Sequence, residues 1–471
     1  MQIPQPSPPP LSSSSSFSTK DNTKTTLFII LTTSFFSLLF IFTLTSNSFK
    51  TSSLSAHGRP DPYLFPNRQA TFTKIPSDPT PPSIAYLISG SKGDLDRILR
   101  LLYATYHPKN QYLLHLDLSA PQTDRDQLAL SVQSVPIFKA AQNVNVIGKA
   151  DFAYSKGSST ISATLHGAAI LLRLPKKWDW FVNLGAADYP LVTPDDLLHI
   201  LSYLPKDLNF VNHSSYIGWR ESRQLKPIIV DPGLYLSEKS EMFYATQKRD
   251  LPNSFRLFTG TAFSIVSRSF IEHCILGVDN LPRILMMYLS NTPSSLINYF
   301  PTVLCNSRQL NRTVINHNLQ YVAFEQPSKK VPRALNSSEF DAMIQSGAAF
   351  ATQFKSDDPV LDRIDQDVLG RNPGEVVPGG WCLGGEPGNV TCSTWGDADI
   401  LRPGTGAARL EKLIVRLLSN GVGVDPNVPL QKYVVDDIYI ALVEDVSLRI
   451  RSISVSFSRT GRRGGLTMEI L

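Results

Sequence analysis

Ser89, Gly90, Ser91, His115, Asp117 and Asp188 are the residues whose types and placement could do chemistry in this chain. Each falls at or just past the end of an apolar run: IAYLIS (Ile84 to Ser89), YLLHLD (Tyr112 to Asp117) and WFVNLG (Trp180 to Gly185). Open α/β sheets bind ligands at the carboxyl ends of their strands, so polar residues gathered at such ends mark a candidate crevice. Taken singly, each has a structural alternative. Asp188 could cap the turn before Pro190, and His115 could be a satisfied core histidine; their joint placement favours a ligand role.

The elements that must position these residues alternate between strand and helix. After Gly90 and Ser91, the residues Leu95, Ile98, Leu99, Leu102 and Tyr106 recur at helical spacing. VNVIG (Val144 to Gly148) and NFVNH (Asn209 to His213) read as further strands, with helices near Ser162 to Leu174 and Pro194 to Leu204. The second of these helices has Thr193 as its N-cap, Pro194 at the first position and Asp195 and Asp196 in the first turn. This alternation predicts an α/β fold with a mostly parallel sheet covered on both faces. In LFTGTAFSIVSRSF (Leu257 to Phe270), Thr259-Gly260-Thr261 allows close backbone approach ahead of an apolar strand. From Pro378 to Gly406 the chain is glycine-rich and reads as loop.

The rest of the chain has a different character. Residues 1–24 form a low-complexity tail, and residues 25–49 are uncharged, with Leu27 to Leu44 dominated by Leu, Ile and Phe. That stretch is long enough to cross a bilayer once. The alternative, a cleaved signal peptide, fits less well: the leading region is long and no small-x-small site follows. A Pro/Ser-rich stem covers 50–82, a globular domain 83–420 and a divergent tail 421–471. Four sequons, at Asn212, Asn311, Asn336 and Asn389, all follow the apolar stretch and point to a lumenal body. Net charge is +5 with the basic residues scattered, which argues against a nucleic-acid partner. The four cysteines lack paired CxxC spacing; Cys382 and Cys392 could close a short glycine-containing loop, while Cys274 and Cys305 could pair or stay as buried thiols.

The segments IAYLISGSKGDLDRILRLLYATYHPKNQYLLHLD, VNVIGKA, TLHGAAILL, WDWFVNLGAADYPLVTPDDLL, KPIIVDPGLY, LFTGTAFSIVSRSF, NYFPTVLCN, DPVLDRID, PGGWC and GDADILRPG occur in that order over about residues 83 to 415. Together they resemble the core-2/I-branching glycosyltransferases, and most nearly the plant β-glucuronosyltransferase branch that acts on arabinogalactan. The resemblance implies a nucleotide-diphospho-sugar transferase (GT-A-like) fold, a single-pass type II protein of the Golgi membrane, an inverting mechanism, a UDP-sugar donor, a polysaccharide or glycoprotein acceptor and no metal cofactor. It places Ser89, Gly90, His115 and Asp117 in the nucleotide pocket, Asp188 near the sugar and Asp397 on the far side. Trp219, Arg223 and Lys226 fall where relatives contact the acceptor, with Gly260 and Thr261 nearby. Core packing is the alternative for Trp219.

Metal-dependent sugar transferases commonly hold the ion with a DxD pair, whereas here the strand end is Ala187-Asp188-Tyr189-Pro190, and one carboxylate is a poor magnesium cage. The leaving diphosphate would then need cations or backbone N–H donors, and Arg402 and Arg409 are candidates, with exposed surface cations as the alternative. The match fails at one important place. Relatives supply the acceptor-activating base from a glutamate just before a Tyr-Phe-x-Thr-Val pattern. Here that position falls at Ile297, and no carboxylate occurs between Asp279 and Phe300. A positioned base contributes roughly 10²–10⁴-fold in rate. Either Asp188 or another acid substitutes, or the chain is a weak or non-catalytic, carbohydrate-binding member. Phe263 stands where a tryptophan is expected, which keeps an aromatic surface.

Overall fold

The structure is a computed structural model that describes residues 80–419 apart from 216, 236–240, 326–331 and 385–391. The tail at 1–24, the apolar stretch at 25–49, nearly all of the stem, the sequon at Asn389 and the segment 421–471 lie outside the described residues. Among the described residues no helix is long and apolar enough to cross a membrane.

The strands of the two larger sheets are β1 (Ile84–Gly90), β2 (Gln111–Leu116), β3 (Val144–Val146), β4 (Trp180–Gly185), β5 (Asp188–Pro190), β6 (Asn209–Phe210), β7 (Ile265–Ser267), β8 (Val314–Ile315), β9 (Gln320–Tyr321) and β10 (Phe350–Thr352). The main sheet has the order β8-β6-β7-β4-β1-β2-β3. All its strands run parallel except β7, which is antiparallel to both neighbours. This is the mostly parallel α/β sheet that the alternation of elements predicts. β1 lies between β2 and β4, and Ile84 to Ile88 are all buried, as expected of a strand covered on two faces. Alternate residues serve opposite cores. Tyr86, Tyr112, Trp180 and Val182 face one, while Leu87, Leu113 and Phe181 face the other.

The first core is covered by the helices Leu95–Thr105, Pro194–Ser202 and Thr405–Ser419, and the second by Ser159–Arg173, Arg268–Leu276, Leu281–Leu289 and Leu296–Asn306. The glycine-rich stretch from Pro378 is loop with two short strands, as expected, and it leads into the helix Thr405–Ser419. Its glycines end at Gly406, and Ala407, Leu410, Leu413, Ile414 and Leu418 then recur at helical spacing and bury one face. A correction concerns Asn209 to His213. The strand stops at Phe210, and His213–Ser214 pairs instead with Thr259–Gly260. Glycine is required there: a Cβ at Gly260 would lie 2.0 Å from the Asn212 carbonyl oxygen.

Two turns that follow Asp188 in the chain are held by carboxylates. At the head of Pro194–Ser202, the Asp196 N–H donates to Thr193 Oγ1 and the Thr193 N–H to Asp196 Oδ2, both at 3.1 Å, forming a capping box. The same first-turn acids also bind the distant C-terminal loop. Asp195 Oδ2 accepts N–H bonds from Gly380 (2.7 Å) and Arg402 (2.6 Å), and Asp196 Oδ1 accepts one from Gly404 (2.6 Å). The Tyr189 turn is clamped by a buried network. Asp365 is bound through both oxygens by Arg371 (2.7 and 2.9 Å), Arg100 reaches Asp365 at 2.7 Å, and Arg371 Nη2 donates to the Tyr189 hydroxyl at 3.1 Å. Arg371 is 3% exposed and Asp365 4%, so removing Arg371 leaves a buried carboxylate whose remaining cation is Arg100 alone. We therefore expect Arg371→Met to lose about 2–4 kcal/mol of unfolding free energy in urea titration, somewhat less than an uncompensated buried charge would cost because Arg100 remains; a loss below 1 kcal/mol would show that the network holds nothing.

Candidate functional site

At the carboxyl end of the sheet three strand tips meet. β1 is registered so that Ser89 lies opposite His115 of β2 and Gly185 of β4. The main chain stitches them further: the Asp117 N–H donates to the Gly90 carbonyl at 3.0 Å, and the Ala186 N–H to the Ser89 carbonyl at 2.9 Å. Gly90 has no room for a side chain, because a Cβ there would sit 2.7 Å from Ile98 Cδ1 and 2.8 Å from Asp94 Cβ. Ser89, Gly90, His115, Asp117 and Asp188 are thus brought into one neighbourhood.

His115 is buried, and its Nε2 accepts the Asp151 N–H at 3.1 Å, so in the neutral ring the proton sits on Nδ1. Burial lowers its pKa, with Asp151 and Asp117 pulling the other way. Asp117 turns its Oδ1 onto the Ser119 N–H at 3.0 Å and the Ser119 hydroxyl.

Asp188 is 8% exposed and its carboxylate is fully engaged. Oδ2 accepts the Gly185 N–H at 2.7 Å, Oδ1 accepts Gln320 Nε2 at 3.1 Å, and the Thr352 side chain adds a further hydrogen bond. Burial raises its pKa to about 6 against these bonds and the field of Arg97, all of which favour the charged form. A cavity of about 330 Å³ opens beside it, bordered by Asp188, Ala186, Arg97, Arg100 and Asp357. The two cations on its wall are already paired, Arg97 with Asp94 at 2.8 Å and Arg100 with Asp362 and Asp365 at 2.7 Å.

A polar relay links Asp188 to the Gly260 loop. Asn318 Nδ2 donates to Thr261 Oγ1 (3.0 Å) and lies 3.5 Å from Gln320 Oε1, while Gln320 donates to Asp188. Asn318 and Gln320 are 3% and 9% exposed, and neither carries a signal in the sequence beyond being polar. Between them Leu319 takes a left-handed φ of 56°, a cost of about 1 kcal/mol or more that the surrounding bonds must hold in place.

The remaining sites separate from this cluster. Trp219 is 75% exposed rather than packed in the core, and the Arg223 guanidinium stacks 4.6 Å from its ring centroid. Lys226 Nζ lies 3.7 Å from Asp250. Asp397 and Arg402 fall toward the opposite end of the sheet from the three tips. Asp399 contacts Lys109 just before β2 begins; Arg402 binds Asp195 through its N–H, and Asp195 lies 3.5 Å from His107, which also precedes β2. Arg409 donates to Thr405 Oγ1 (3.1 Å) and to the Leu191 carbonyl (3.3 Å). Cys382 and Cys392 form a disulfide, while Cys274 is half-buried and Cys305 buried. Asn212 and Asn336 are exposed and Asn311 is half-exposed.

Ile297 stands in the first turn of Leu296–Asn306 and is half-buried. The segment leading to it is held against the head of Ser159–Arg173: Ser158 Oγ donates to the Ser290 carbonyl (2.5 Å), and the Ser294 N–H to the Lys156 carbonyl (2.9 Å). The acid at that junction is Asp231. It is fully buried and accepts N–H bonds from Ser158 (2.7 Å), Ser159 (2.7 Å) and Gly233 (2.8 Å), which makes it a helix cap rather than a free base. Among the described residues no three His, Cys, Asp or Glu side chains stand together as a metal ligand set.

Residues 84–344 match the family described as Branch: Core-2/I-Branching enzyme. This chain belongs to that family. It is a glycosyltransferase. Among relatives in Arabidopsis thaliana, it is 48% identical over 347 residues to β-glucuronosyltransferase GlcAT14A, covering 74% of this chain and 78% of that one. It is 50% identical to β-glucuronosyltransferase GlcAT14B over 71% of this chain and 78% of the relative, and 44% identical to β-glucuronosyltransferase GlcAT14C over 81% and 92%.

The raised pKa of Asp188 has a consequence for stability. Its folded carboxyl holds a proton more tightly than the unfolded one, so stability falls as pH rises from 3.8 through about 6. Asp188→Asn has no such term. Its stability relative to the unsubstituted chain should rise between about pH 4 and pH 7 by on the order of 2–3 kcal/mol; parallel denaturation midpoints across that range would contradict the assignment.

Proposed function

We propose that the chain transfers glucuronic acid from UDP-glucuronic acid, with inversion, onto β-galactan chains of arabinogalactan proteins. The observation that carries the reading is the junction of three strand tips, where Ser89, Gly90, His115 and Asp117 adjoin a buried Asp188 beside a cavity of about 330 Å³. The names and identity of the relatives support the sugar. The tips would receive the nucleotide, Asp188 would orient the donor sugar, and the loop carrying Gly260 and Thr261 would meet the acceptor. We place the protein in the Golgi membrane as a type II protein, on the strength of the apolar stretch at 25–49 and the sequons beyond it.

Reaction without a metal is part of the proposal. It is supported by the single carboxylate at the β4 exit, whose two oxygens both accept protein donors. Transfer of radiolabelled glucuronic acid from UDP-glucuronic acid to galactan oligosaccharides should proceed and survive EDTA. Absence of transfer with every UDP-sugar would overturn the activity, and loss in EDTA with recovery on manganese would overturn the metal-free mechanism.

A second reading, a carbohydrate-binding member without turnover, is favoured by Ile297 alone. A carboxylate restored at that position would deprotonate the acceptor hydroxyl as the diphosphate leaves. Ile297→Glu should raise kcat by roughly 10²–10⁴-fold if the unsubstituted chain lacks a base. An unchanged, already rapid kcat would show that another group fills the role.

A further inference from the structure

A second cavity, of about 530 Å³, lies away from Asp188. Ile217, Leu251, Pro252 and Phe255 supply an apolar wall, and Ser215 and Arg256 supply its polar groups. Its position along the chain is informative. Ser215 directly follows the short strand His213–Ser214, and Arg256 directly precedes the segment that becomes Thr259–Gly260, the partner of that strand. One end of this strand pair therefore reaches Thr261 and, through Asn318 and Gln320, Asp188; the other end is the cavity.

The Arg256 segment is built in rather than loosely draped. Its N–H donates to Asn306 Oδ1 at 3.1 Å and its carbonyl accepts Asn306 Nδ2 at 2.7 Å. Two residues on, Phe258 is held in the same two-point manner by Thr302 Oγ1, at 3.0 and 3.2 Å. Both clamps come from Leu296–Asn306, the helix whose first turn carries Ile297. Arg256 forms no ion pair among the described residues, and its guanidinium lies 5.8 Å from the Phe258 ring centroid on an exposed side chain. Arg249, in contrast, is stacked on Tyr288 and bonded to Thr292.

Resting on the proposed function, we infer that this cavity is a remote acceptor subsite that takes a uronate-bearing sugar unit of the galactan chain. The ring's C–H face would lie on the apolar wall, with its carboxylate on Arg256 and a hydroxyl on Ser215. A flat pyranose face suits a wall of aliphatic and aromatic carbon, and a carboxylate is the charge complement of an unpaired arginine fork. The transferase would then bind chains that already carry its own product more tightly than bare ones.

The test uses the purified full-length chain, the Arg256→Gln variant, and two galacto-oligosaccharides of equal length, one carrying a glucuronic acid branch. Calorimetry should show the acidic oligosaccharide binding the unsubstituted chain about tenfold more tightly than the neutral one, the worth of one charge-assisted hydrogen bond. In Arg256→Gln the ratio of the two affinities, and of the two kcat/KM values, should fall toward one. Equal affinities in the unsubstituted chain, or a preference that persists in Arg256→Gln, would overturn the subsite. Selective binding with no transfer to either oligosaccharide would instead overturn the activity and leave the subsite standing.

Discussion

A carboxylate taken out of water must be met by donors, and this domain is organised around aspartates that find theirs far away in the chain. Asp231 holds the head of a helix that begins 72 residues earlier. Asp195 binds N–H groups 185 and 207 residues further on, Asp365 binds Arg100, and Asp188 binds Gln320 across 132 residues. Each such contact joins segments that the sheet alone would leave unconnected. Satisfied groups of this kind specify one arrangement of loops, because any other would leave a buried charge without a partner.

The site inherits its geometry from that constraint. β1, β2 and β4 deliver Ser89, His115 and the Asp188 turn to one edge by simple parallel register. The exact pose of Asp188 then depends on residues from two other strands, Gln320 of β9 and Thr352 of β10, and on the Tyr189 clamp beneath it. Gln320 also joins Asp188, through Asn318, to the loop carrying Gly260 and Thr261, so the two segments share a set of hydrogen bonds. A shift on one side would be felt on the other.

Ile297 sits in a segment whose shape is fixed by contacts other than its own side chain. The turn before it is anchored to the Ser159–Arg173 helix, and the helix after it clamps the Arg256–Phe258 segment through Thr302 and Asn306. Those contacts stabilise the domain whether or not a base stands at 297. Packing and polar satisfaction therefore preserve the shape of the site independently of its rate.

The sequence by itself determined the alternation of strands and helices, the carboxyl-end placement of Ser89, His115, Asp117 and Asp188, and the Thr193 cap. These follow from local periodicity, capping chemistry and residue identity, all legible over a few turns of chain. The reversal of β7, the early end of β6 and the roles of Asp231, Asn318, Gln320 and Arg371 were decided only in three dimensions. So was the separation of Asp397 and Arg402 from the strand tips. The physical reason is common to them: a polar side chain's partner is set by where the folded backbone brings donors within about 3 Å, and linear spacing carries no record of that distance.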